Sequence, residues 1–74
     1  MTKEQFISAI EDQGFVKTST VPYLSFVKPG NSRILIEDGN FAMIRNTGRS
    51  GMRIFKWYPI ADVTEILPEG IMVA

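Results

Sequence analysis

Arg33-Ile34-Leu35-Ile36-Glu37-Asp38-Gly39-Asn40-Phe41-Ala42-Met43-Ile44-Arg45-Asn46 is the stretch that decides the fold. Two apolar runs flank Asp38-Gly39. That dipeptide is a strong signal for a two-residue type I′ hairpin, whose two central residues both need positive φ. The turn sets a register, and side chains alternate between the two faces along each strand. Glu37 then faces Asn40, Ile36 faces Phe41, and Ile34 faces Met43.

Toward the C-terminus, Thr47-Gly48-Arg49-Ser50-Gly51 reads as a loop joining the strand Phe41–Asn46 to a strand Met52–Tyr58. A loop symmetric about Arg49 sets Met43 against Phe55, Phe41 against Trp57, and Ile44 against Ile54. One face then collects Ile34, Ile36, Phe41, Met43, Phe55 and Trp57. The other carries Leu35, Ala42, Ile44, Met52 and Ile54, with Arg33 and Lys56 among them. That is more apolar than an antiparallel sheet leaves open to water. The sheet is expected either to curl into a half-barrel or to be covered by another subunit or partner. After Pro59, Ile60–Leu67 reads as a short strand, with Asp62 able to cap a helical turn. Pro68-Glu69-Gly70 is a turn, and Ile71–Val73 is a last edge strand.

Toward the N-terminus, Pro29-Gly30 marks a turn, since proline presets φ at one corner and glycine accepts positive φ at the next. A two-residue loop there would put Leu24 and Phe26 on the second face. A three-residue loop through Asn31 would put them with the core, and both readings stand. Phe15–Thr20 and Tyr23–Lys28 are strands around Val21-Pro22. Thr2–Gln13 reads as a helix: Thr2 and Gln5 have capping-box spacing, and Phe6, Ile7, Ala9 and Ile10 recur at helical intervals. Gly14 ends it, with Phe15 placed to pack on Ile10. Glu11 and Asp12 sit at the C-terminal end, where the helix dipole disfavours negative charge. The expected fold is α+β, a single domain over residues 1–74. One N-terminal helix packs on a twisted antiparallel meander of five to seven strands.

The 74 residues contain no histidine and no cysteine, and eight basic residues balance eight acidic ones. Disulfides are thereby excluded. The side chains most used for transition metals and for acid–base chemistry near neutral pH are missing. No loop has the alternating acidic spacing of a calcium site. No metal or cofactor is therefore expected, and no enzyme activity: the serines and threonines lack a histidine to activate them. A neutral chain also lacks the broad positive field of a general nucleic-acid binder. No apolar stretch is long enough to span a bilayer, and the opening residues lack the apolar core of a signal peptide. A cytoplasmic protein without a membrane role is expected.

Two groups of residues are candidates for function. Arg45, Arg49 and Arg53 cluster around the Asn46–Gly51 loop, with Arg45 opposite Arg53 in the symmetric register. Like charges so placed weaken a hairpin, by about 0.2–1 kcal/mol, unless an anion or acidic partner lies near. Tyr58, expected to face away from the core, joins them as a surface aromatic, and Trp57 is expected in the core. The second group is Leu35, Ala42, Ile44 and Ile54, a face suited to a second copy. A chain this short buries only about 60% of its unfolded surface, and with no covalent staple it gains from oligomerisation. Size and opening residues are those of many small bacterial and phage reading frames. The function expected is a non-catalytic protein-binding module, homo-oligomeric, of the accessory or inhibitory kind. The rivals are a nucleic-acid or nucleotide binder using the arginine loop, and a structural or assembly subunit.

Overall fold

Thr2 and Gln5 cap each other at the start of helix α1, Lys3–Asp12. The Thr2 amide donates to Gln5 Oε1 at 2.9 Å, and the Gln5 amide donates to Thr2 Oγ1 at 3.1 Å. At the other end Gly14, at φ +98°, donates to the Glu11 carbonyl at 3.0 Å, and Phe15 donates to the Ile10 carbonyl at 3.1 Å. These two bonds are the Schellman pair, and they turn Phe15 back into the core beside Ile10. Glu11 and Asp12 are exposed. Phe6 and Ile10, four residues apart, lie on one side of the helix and are fully buried. These features belong to a computed structural model that describes residues 1–30, 32–45 and 56–74.

Five strands follow in sequence order: β1 (Val16–Ser19), β2 (Leu24–Lys28), β3 (Ser32–Glu37), β4 (Asn40–Arg45) and β5 (Tyr58–Pro59). Each pairs antiparallel with the next. Asp38 and Gly39 take φ of +49° and +77°, and Glu37 pairs with Asn40, so the hairpin has the register expected from its turn. Lys28 pairs with Ser32, so three residues separate the paired ends. The three-residue reading therefore holds. Leu24 and Phe26 stand opposite Ile36 and Ile34, and Phe26 is buried in the core.

The next connection departs from expectation. Phe41 pairs with Tyr58, not with Trp57. The sequence Thr47-Gly48-Arg49-Ser50-Gly51 offers no turn as definite as Asp38-Gly39, so its register is not fixed locally, and a slip of one residue exchanges the faces. Tyr58 goes to the core side, its ring 5.7 Å from that of Phe41. Trp57 consequently leaves the face on which it was expected. Met52, Ile54 and Phe55 lie outside the described residues.

The chain's last part does not extend the sheet. A 3-10 turn, Ile60–Asp62, follows β5, its Ile60 amide donating to the Gly39 carbonyl at 2.9 Å. Then β6 (Val63–Leu67) and β7 (Gly70–Val73) form a separate two-stranded sheet. The N-terminal amine reaches the carbonyls of Ile60 and Val63 at 3.4 and 3.3 Å, tying helix to hairpin. The core lies between these layers. Phe6 and Ile10 come from the helix, Phe26, Ile34, Ile36 and Phe41 from the sheet, and Ile60 and Val63 from the last part. The Phe6 and Phe41 rings stack at 5.0 Å. Each such side chain contributes about 1.5–3 kcal/mol on burial. Among the described residues β1 pairs only with β2 and β5 only with β4, so the sheet is open and not a closed barrel.

Candidate functional site

A concavity among the described residues lies between two turns. On one side is the β2–β3 turn with Lys28, Pro29 and Ser32. On the other is the tip of the β6–β7 hairpin, from Ile66 to Ile71. Phe15 and Met43 complete the lining, and the cavity holds about 350 Å³. It exists because the last hairpin packs against the helix and the 3-10 turn rather than along the main sheet. The sheet's end therefore has a neighbour but no paired strand.

The walls are apolar and the rim is charged. Met43, Ile66 and Ile71 are half-buried and pack against the core, while Leu67 is half-buried without being part of it. Lys28 lays its Nζ 5.7 Å from the centroid of the Phe15 ring, an attraction that holds the ammonium at the mouth. Glu69 stands exposed on the opposite lip. Lys28, Ser32 and Arg45 form one cross-strand row, so the strand ends here carry basic residues. About 350 Å³ is at the small end of ligand-site volumes and suits one or two bulky apolar side chains.

The residues singled out in the sequence are dispersed. Arg45 ends β4 opposite Ser32; its side chain, together with Arg49, Arg53 and Ile54, lies outside the described part. Tyr58 is half-buried at the core margin, with Lys56 Nζ 5.4 Å from its ring centroid. Its ring is thus on the core side rather than the face first assigned to it. Leu35 and Ala42 are only 6% and 0% exposed within the single chain, and Ile44 is half-buried opposite Arg33. The second face is therefore already covered at its centre. Tyr23 and Trp57, beside the starts of β2 and β5, bring their rings to 5.4 Å across the intervening strands. Both adjoin residues that point to the core, so alternation puts the aromatic pair on this second face. Ser25, next to Leu35 in the register, is 4% exposed, and its hydroxyl has no hydrogen-bond partner among the described residues.

The groove residues Lys28, Leu67 and Glu69 escaped the sequence reading. Nothing local marks them, because the groove depends on where a hairpin some forty residues downstream comes to rest. Among the described residues no three acidic side chains converge as a metal site would need, and no helix is long and apolar enough to cross a membrane. Comparison with protein-family models, with curated proteins and with solved structures found no match.

Proposed function

We propose that this protein is a small non-catalytic binding module that receives an apolar side chain of a protein partner in the groove between the β2–β3 and β6–β7 turns. The observation that carries this reading is the lining: five apolar side chains, Phe15, Met43, Ile66, Leu67 and Ile71, from three separate parts of the chain face one opening of about 350 Å³. Apolar surface gathered in a concavity is the ordinary form of a docking pocket, with charged groups at its edge supplying orientation. Lys28 and Glu69, on opposite lips, are placed to orient a partner backbone or polar flank without entering the pocket.

Leu67→Glu is the decisive variant. Leu67 lines the groove but stands outside the core cluster, so the fold should survive the change. Capture of a protein partner from extract by the immobilised parent chain should persist in high salt, and this variant should lose it. The nucleic-acid reading makes the opposite forecast. Phosphate contacts weaken steeply with salt, and replacing Arg45, Arg49 and Arg53 together with alanine would then abolish binding while Leu67→Glu left it intact. That pair of results would discard the groove reading.

A further inference from the structure

We propose that two copies of this chain associate through the outer edge of β7, which no strand covers among the described residues, antiparallel about a twofold axis at Met72. The edge is defined by hydrogen bonds. Ala74 donates its amide to the Asp62 carbonyl at 2.8 Å, and the Thr64 hydroxyl donates to the Met72 carbonyl at 3.2 Å. Residues 72 and 74 thus direct backbone groups toward β6. Alternation turns the N–H and C=O of Ile71 and Val73 to the other side, where no strand lies among the described residues. An antiparallel second copy matches this set with itself. Ile71 meets the partner's Val73, Val73 meets the partner's Ile71, and Met72 meets the partner's Met72 on the axis. Every outward donor then finds an acceptor.

The side chains agree. Met72 and Val73 are 51% and 40% exposed, and Gly70–Val73 carries no charge, so self-pairing brings no like charges face to face. The β1 edge of the main sheet is guarded: Lys17 sits in it, and its register is broken by a bulge between Lys17 and Ser19. Natural sheets discourage edge pairing by those two devices; β7 carries no charge, and the bulge in its pairing falls on β6, at Thr64, away from the outward edge. On the far side of the hairpin, Val63 already accepts a bond from the N-terminal amine. Growth therefore stops at two, the closed outcome of a twofold contact. This interface differs from the face holding Leu35 and Ala42, which a single chain already covers. It shares Ile71 with the groove, but mass in solution tests the pairing and partner capture tests the groove, so either can fail alone.

Sedimentation equilibrium of the whole chain from low to high micromolar concentration tests the pairing. The parent should shift from monomer mass toward twice that mass. Val73→Pro removes an outward N–H that the monomer does not use, a position where edge strands accept proline. It should stay monomeric while retaining the parent's circular dichroism. Charge sign gives a second readout that does not rely on that variant folding. Glu65 pairs across from Met72, so Met72→Glu would gather four carboxylates around the axis and should abolish the dimer. Met72→Lys would set each new ammonium beside a Glu65 and should preserve it. Ile44→Lys should leave the mass unchanged. A parent that is monomeric throughout, or a dimer broken by Ile44→Lys but indifferent to Val73→Pro and Met72→Glu, would overturn the proposal.

Discussion

At the scale of single residues, three positions each yield a forecast. Gly39, at φ +77°, has open space where a Cβ would stand, so a substitution there meets only the backbone's resistance to positive φ. Gly39→Val should cost about 1–3 kcal/mol in chemical denaturation, since a β-branched residue tolerates that region worst. Gly14, at φ +98°, is similar: the nearest atom to an added Cβ is Lys28 Cε at 3.9 Å, an ordinary contact. Gly14→Ala should therefore lose about 1–2 kcal/mol from strain alone. Ser25 runs the other way. Its buried hydroxyl lost water and gained no partner among the described residues. Ser25→Ala should raise the melting temperature, by an amount corresponding to about 1 kcal/mol, a gain of ~4–8 °C in a domain this size.

At the scale of elements, α1 shows sequence and structure in close agreement. Its capping box, its glycine stop and its buried face of Phe6 and Ile10 all stand where residue type and spacing placed them. Such features depend on residues within a turn of one another, so local sequence suffices. Ile10→Asp should then unfold the domain or prevent its soluble expression. An unpaired buried charge costs several kcal/mol, comparable to the whole stability of a small domain. A variant that melts like the parent would mean the helix is not docked. The β3–β4 hairpin belongs to the same class, because Asp38-Gly39 dictates its own register. The pairing of β4 with β5 does not, because no two-residue hairpin turn like Asp38-Gly39 fixes the connection, and Phe41 pairs with Tyr58, one position from the symmetric register. That single step exchanged the roles of Trp57 and Tyr58.

At the scale of the molecule, the core is closed by segments distant in sequence. The helix covers the sheet from one side, and Ile60 and Val63, from the far end of the chain, seal the remainder. Ile60→Ala should therefore cost about 2–5 kcal/mol, as much as a loss in the central strands, although Ile60 lies in a short 3-10 turn. Denaturant titration beside Ile34→Ala checks this, since a peripheral Ile60 would cost far less. The same arrangement produces the groove and frees the β7 edge. Both arise because the last hairpin packs on the helix and the 3-10 turn instead of joining the meander.

Local sequence determined the α+β class, the helix with both its ends, the register of the β3–β4 hairpin and the absence of thiol and imidazole chemistry. Turn residues, capping pairs and alternation act over a few residues and leave their mark in the order of the chain. The three-residue β2–β3 loop, the pairing of Phe41 with Tyr58 and the resting place of the β6–β7 hairpin were decided only by the tertiary structure. So were the covering of Leu35 and Ala42 within one chain and the apolar groove itself. Each of these depends on which of several compatible surfaces meet once the core closes, and packing at long sequence separation writes no periodic signal into the residues that take part.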